Sequence, residues 1–145
     1  MNPFKPPKPV TFGFHARYSV RFGGGLHQGA DFTLPTGTPI YACADGKVVG
    51  RDAPWGPAFG IDSVLILHKV GKTLLYTIYA HMSHCFVPVG RKVKMGQLIG
   101  LVGGEGRVSG PHLHLECQLG QWWRPNAGVD PTSLIKLGLP QTKQC

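Results

Sequence analysis

The stretch IDSVLILHKVGKTLLYTIYAH, residues 61–81, decides the fold class. Its two halves are rich in Val, Ile, Leu, Tyr and Thr, side chains that suit a pleated, half-buried surface. They read as an antiparallel pair turned at Gly71-Lys72. Upstream, PIYACADGKVVGRD (39–52) reads as a second hairpin, with strands 39–44 and 47–52 joined at Asp45-Gly46. Aspartate-glycine between apolar runs is a strong short-range hairpin signal. Downstream, HLHLECQL (112–119) reads as a strand, and 84–103 as short extended pieces punctuated by glycine and proline. Residues 15–30 read as a glycine-rich loop with one short strand, and 54–60 as a loop. A helical turn or two is expected around 131–136, with Asp130 as cap and Pro131 in the first helical position. The expectation is an all-β fold of small antiparallel sheet, long glycine-rich loops and little helix.

A chain of 145 residues is long enough for one domain with its own core. The boundaries expected are an extended, proline-rich arm over 1–14, a domain over 15–138 and a tail over 139–145. The N-terminus MNPFKPPKPV has no apolar run of the secretory kind. No stretch approaches the ~18 apolar residues of a membrane span, so no membrane insertion is expected. Fifteen Lys and Arg against seven Asp and Glu give a formal charge of +8. That balance suits an anionic polymer partner, but no nucleic-acid motif organises the scattered cations, and nucleic acid is not expected as a partner. The four cysteines, Cys43, Cys85, Cys117 and Cys145, form no CxxC pair, which excludes a zinc ribbon. They are expected to stay reduced, with Cys43 and Cys117 packing as small hydrophobes.

Two short stretches gather ligand-grade side chains. GGLHQGADF (24–32) carries His27 and Asp31, and SGPHLHLE (109–116) carries His112 and His114. In a strand, His112, His114 and Glu116 share one face while Leu113, Leu115 and Cys117 take the other. Two imidazoles two residues apart suit one ligand and one ring reaching over the same site. A turn entering a strand at Asp31 can bring His27 to the same point. His27, Asp31 and His114 would supply two nitrogens and one oxygen, leaving a fourth position as catalytic zinc sites do. His81 ends an apolar strand and is placed to meet a substrate oxygen. His15, His68 and His84 have nothing beside them that marks a site.

Taken together, GLHQGADF, PTGTPIYACADGKVV, YAHMS, VGRKVKMGQLIGLVG and SGPHLHLE resemble, in order and spacing, the lysostaphin-type zinc endopeptidases over about residues 19–130. The resemblance implies a small antiparallel sheet with a groove above it. It implies zinc held by His27, Asp31 and His114, with His81 and His112 as catalytic histidines. It implies hydrolysis of peptide bonds in the stem or cross-bridge of bacterial peptidoglycan, by a monomer acting on the cell wall as a phage-type or bacterial lysin. His112 would take a proton from water and His81 would meet the developing oxyanion. Glu116 is expected behind the ligands or at the sheet surface, and Tyr18 only weakly matches a tyrosine that some members carry before the first ligand.

Rival readings make distinct demands. A cupin-type site wants its glutamate further beyond the second histidine than Glu116 stands. A non-catalytic zinc or wall-binding module needs neither His81 nor His112. A structural protein would leave the glycines serving turns alone.

Overall fold

The computed structural model describes residues 2–19, 24–52, 57–106, 108–120 and 128–133. Among the described residues nine strands carry the fold: β1 (Gly29–Thr33), β2 (Pro39–Tyr41), β3 (Gly46–Arg51), β4 (Val64–Val70), β5 (Thr73–Ala80), β6 (Met82–Cys85), β7 (Lys92–Val93), β8 (Leu98–Val102) and β9 (His112–Leu119). They form a six-stranded sheet in the order β1-β9-β5-β4-β3-β7 and a three-stranded sheet in the order β2-β8-β6, and every strand pair is antiparallel.

Alternation along the strands explains the layering. One side of the large sheet presents Ala30, Phe32, Val48, Val64, Ile66, Tyr79, Leu113 and Leu115; the small sheet answers with Ile40, Met82, Cys85, Ile99 and Val102. These side chains make one buried core between the sheets. The other side of the large sheet carries Asp31, His112, His114 and Glu116.

The hairpin expected at Gly71-Lys72 is present, with β4 and β5 in register from Val64↔Tyr79 to Val70↔Thr73. The hairpin expected at Asp45-Gly46 is not. β2 pairs with β8, and β3 pairs with β4 and β7, so Asp45-Gly46 is a corner between two sheets. The physical reason lies in both residues. The Asp45 carboxylate accepts from the Met95 N–H (2.8 Å) and Lys94 Nζ (2.9 Å), tying the corner to the turn before β8. At Gly46 a Cβ would come within 2.7 Å of the Leu67 carbonyl, Ile66 Cγ2 and His68 Nδ1. That glycine serves close strand approach rather than a tight turn.

Residues 2–14, expected as an extended arm, lie on the body. Phe4 is buried and meets Phe32 edge to face at 5.3 Å. Thr11 and Phe12 run beside β1, exchanging main-chain hydrogen bonds with Asp31. Cys43 and Cys117 are buried free thiols, as expected, and Cys85 is buried as a free thiol at the end of β6. At the C-terminal end, residues 131–133 form a single 3-10 turn. It is capped by Asp130 Oδ1, which accepts from the Thr132 N–H at 2.8 Å. Residues 134–136, Cys145 and the 139–145 tail lie outside the described residues.

Candidate metal centre

Strand register assembles the centre. Asp31 on β1 and His114 on β9 are direct cross-strand partners, and Ala80 at the end of β5 flanks His114 from the other side. Side chains of directly opposed residues share a face and lie close. His27 stands two residues ahead of β1, fully buried, and is held by hydrogen bonds between its main chain and that of His15 and Ala16. Between them, Gly29 is required by space: a Cβ there would sit 2.4 Å from the Leu115 carbonyl and 2.9 Å from His114 Cε1. That glycine thus makes room for β9.

His27 Nε2, Asp31 Oδ1 and His114 Nδ1 close a small triangle. The sides are 2.7 Å (His114–Asp31), 3.0 Å (His27–His114) and 3.1 Å (His27–Asp31). The far nitrogen of each ring decides what the near one can do. His27 Nδ1 lies 2.9 Å from the Gly13 carbonyl, and His114 Nε2 lies 3.0 Å from Glu116 Oε1. A carbonyl and a carboxylate only accept, so both far nitrogens carry the proton. The near nitrogens point at the Asp31 carboxylate. With a second proton His114 donates to it from Nδ1. Without that proton the three near atoms, His27 Nε2, Asp31 Oδ1 and His114 Nδ1, are the donor set of one cation, facing one point inside a buried site. Zinc–donor bonds of about 2.0–2.1 Å at tetrahedral angles separate the donors by roughly 3.3 Å, which these side chains reach with small adjustments. Two imidazoles and a carboxylate are the donor chemistry of an open zinc site. The same three residues are the group able to hold a metal ion among the described residues.

Protonation follows from these contacts. Burial alone would raise the Asp31 carboxyl, but hydrogen bonds from His114 and His27 outweigh it and hold it well below the usual carboxylate range. Burial works to lower His114, yet its bonds to Asp31 and Glu116 raise it to about 9 in the metal-free protein.

His81 and His112 form a second pair beside the first, their ring centroids 4.8 Å apart. His81 sits where the chain leaves the large sheet after β5 and enters the small one at β6. It adopts a left-handed φ of 61° there, a conformation that is costly for a side-chain-bearing residue and is enriched at functional sites. His81 Nδ1 donates to the Glu105 carbonyl at 2.6 Å, and His112 Nδ1 to the Gly110 carbonyl at 2.9 Å. Each ring is left with an Nε2 lone pair. His112 Nε2 lies 3.8 Å from Asp31 Oδ2. Burial, with the charge on His114 next, pushes His81 down to about 4, so its ring is neutral at neutral pH.

All five sequence-predicted residues therefore meet in one place. Glu116, weighed between two positions, is buried behind His114. Tyr18, a weak match in sequence, stands over the site with its ring 5.4 Å from that of His27. Burial and the nearby Asp31 and Glu116 charges push its hydroxyl up to about 12. Phe59, 6.0 Å from His114 ring to ring, was not legible as a site residue. Nor were the carbonyls of Gly13, Glu105 and Gly110, because a main-chain acceptor leaves no mark in sequence. The centre opens into a groove of about 890 Å³ whose walls include Arg17, Tyr18, Leu26, Phe59 and Val108.

Comparison with known proteins adds an independent line. The sequence pattern of "Peptidase family M23" matches residues 25–126. The peptidoglycan DD-endopeptidase ShyA of Vibrio cholerae is 47% identical over 91 residues, 62% of this chain and 20% of that protein. The glycyl-glycine endopeptidase ALE-1 of Staphylococcus capitis is 34% identical over 119 residues, 82% of this chain and 32% of that protein. The chain thus spans a third or less of the length of these curated relatives. Among solved structures, the catalytic domain of the antimicrobial peptidase lysostaphin from Staphylococcus simulans superposes with a TM-score of 0.73 at 31% identity. That match covers 89% of this chain and 92% of that domain.

Proposed function

The chain belongs to peptidase family M23, and from that premise we propose that it is a zinc-dependent endopeptidase cutting peptide bonds in the stem or cross-bridge of bacterial peptidoglycan. The observation that carries the reading is the pairing of two chemistries in one groove. His27, Asp31 and His114 bring three donor atoms together as a cradle able to hold a cation, and two histidines beside it have their Nδ1 atoms committed to carbonyls, turning Nε2 to the groove. A binding module would need only the first.

His27, Asp31 and His114 would hold the zinc. When bound, zinc lowers the pKa of water and polarises a carbonyl. The chain's own groups supply the rest. Glu116 fixes the tautomer of His114 and keeps its Nδ1 aimed inward. His112, carrying its proton at Nδ1, accepts a proton from the attacking water at Nε2 and can return it to the leaving amine. His81 is held neutral in the same tautomer beside it, with its Nε2 lone pair as a second acceptor for the attacking water. The Tyr18 hydroxyl, kept protonated by burial and by two carboxylates, is the hydrogen-bond donor facing the groove and takes the oxyanion role that the resemblance implied for His81. Phe59 and Leu26 give the groove apolar walls against which an extended peptide lies.

The site of action is the bacterial cell wall, reached as a phage-type or bacterial lysin. Among the described residues no helix is long and apolar enough to cross a membrane. The net charge of +8 suits contact with anionic wall polymers.

The test is chemical. Purified sacculi incubated with zinc-loaded protein should release new free amines, and fragments sized by mass spectrometry should name the bond. Chelation should stop the release and added zinc restore it. Zinc-loaded protein that binds sacculi yet frees no amine would remove the endopeptidase reading.

A further inference from the structure

The face of the large sheet that carries the metal centre does not end there. Strand register continues it in rows. One row runs Glu116↔Ile78↔Leu65, and the next runs Gln118↔Tyr76↔Leu67↔Lys47↔Lys92. Lys69, two residues beyond Leu67 on β4, shares the face. The intervening residues confirm the sidedness: Val48, Ile66, His68, Thr77 and Val93 are buried on the opposite side. From β9 to β3 is three strand spacings, on the order of 14 Å.

Lys47 and Lys92 are therefore directly opposed on neighbouring strands, their Cβ atoms about 5 Å apart, with Lys69 diagonal to Lys47. All three are exposed. Like charges placed opposite one another destabilise a sheet, and no carboxylate among the described residues pairs with them. All seven Asp and Glu of the sequence are among the described residues. Asp45 pairs with Lys94, Asp52 and Asp62 with Arg51, Asp31 and Glu116 are engaged at the centre, Asp130 accepts from Thr132 and Ser133, and Glu105 lies in the segment between β8 and β9. None of the three lysines makes an ion pair among the described residues. Lysine on an edge strand does discourage unwanted strand pairing, which would account for Lys92 on β7. It does not account for Lys47 and Lys69, which stand on interior strands.

We infer that Lys47, Lys69 and Lys92 form a landing surface for a phosphate-bearing polyanion attached to the cell wall. The surface holds the molecule with its catalytic face toward the peptide substrate. This rests on the reading of the chain as a wall endopeptidase. Three ammonium groups act as point charges without the directional fork of arginine, which suits a flexible chain of phosphates whose positions vary. Many weak contacts to such a chain raise the local enzyme concentration at the wall.

The experiment compares wild type with Lys47→Gln/Lys69→Gln/Lys92→Gln. Co-sedimentation is measured with intact sacculi and with sacculi chemically stripped of their phosphate polymer, at ~0.05 M and ~0.5 M salt. Wild type should bind intact sacculi more tightly than stripped ones at low salt. The variant should lose roughly tenfold or more on intact sacculi, falling to the stripped level, as expected for removing cations close to an anionic surface. High salt should close the gap. An unchanged melting temperature will show that the variant is folded. Equal binding of variant and wild type to intact sacculi, or equal binding of wild type to both preparations, overturns the surface. So does a variant that loses duplex DNA binding while keeping its hold on sacculi. Hydrolysis of a short neutral peptide, run alongside, should be the same in both proteins. If neither cleaves it while the binding difference stands, the endopeptidase reading fails and the surface does not.

Discussion

Two buried histidine sites lie on opposite faces of the same sheet, and they differ in how their hydrogen bonds close. His68, 1% exposed, has one nitrogen 2.8 Å from the Asp45 carbonyl and the other 2.7 Å from Thr77 Oγ1. The carbonyl accepts and the hydroxyl donates, so every group is matched and burial keeps the ring neutral, lowering its pKa. At the candidate metal centre, His27 and His114 are also buried and are also tied at their far nitrogens. Their near nitrogens instead meet a carboxylate and each other. The first site is matched by a neutral ring; the second is matched when His114 carries a second proton or when a cation takes the three near atoms in its place. Burial of a histidine therefore says little about function. What separates a structural imidazole from a metal ligand is whether the polar groups around it balance with the ring neutral.

The comparison can be broken at its strongest point by taking away an acceptor. His114→Ala should lose zinc and reduce hydrolysis to background. Asp31→Asn, which keeps the shape but removes the charge, should bind metal weakly and lose at least ~100-fold in rate. Metal analysis of dialysed protein beside a peptide assay reads both. A fully zinc-loaded, fully active Asp31→Asn protein would refute the cradle.

His112→Ala sharpens the contrast within the site itself. Zinc content should stay near that of wild type, while the rate falls by roughly 10²–10⁴-fold, the usual worth of a positioned acid–base group. Metal that departs with His112 and stays with the His114 variant would reverse the two assignments.

Glu116→Gln probes the tie behind the ligand. Zinc affinity in a chelator competition should drop about 10–100-fold, the range seen when a carboxylate supporting a metal-bound histidine is removed. An unchanged affinity would leave Glu116 a buried neighbour only.

Titration should drive the two sites in opposite directions. The His114 proton, with a pKa near 9 in the metal-free protein, must leave for the metal to bind. Zinc affinity should climb as pH rises towards 9, by up to tenfold per unit. In metal-free protein the same raised pKa contributes stability below about pH 6.5 that is lost as pH rises through 9. His68 has the opposite sign. Its folded pKa lies below its unfolded value, so its contribution is present above about pH 6.5 and fades on acidification. The smallest effect is expected from His68→Leu. It should cost about 1–3 kcal/mol of stability by leaving the Asp45 carbonyl and Thr77 hydroxyl unmatched, with zinc content and turnover unaltered. Thermal melts across the pH range with and without zinc distinguish these outcomes; a His68 variant that loses metal would erase the contrast.

Much of this was legible in the chain because it is local. Runs of β-forming side chains at 64–70 and 73–80 mark two central strands, and the period of two in 112–119 marks a third and assigns His112, His114 and Glu116 to one face. The spacing of His27 and Asp31 before and within an apolar run marks a cluster. Asp45-Gly46 misled because hairpin chemistry and corner chemistry use the same dipeptide. The choice between them was made by Lys94, Met95, Ile66 and His68, residues at least twenty positions away.

The sequence by itself determined which residues can serve: β-forming runs, their polar and apolar faces, and a sparse set of histidines and acids. Tertiary structure alone decided which of them meet. The β1–β9 register sets Asp31 opposite His114 across more than eighty residues of chain. The segments before β1 and β9 bring up the Gly13, Glu105 and Gly110 carbonyls that fix the tautomers of His27, His81 and His112, and the β3–β7 register stacks two lysines on the same face of the sheet. Side-chain periodicity is a property of a single strand, whereas register and main-chain acceptors exist only once strands are paired, so no reading of one segment contains them.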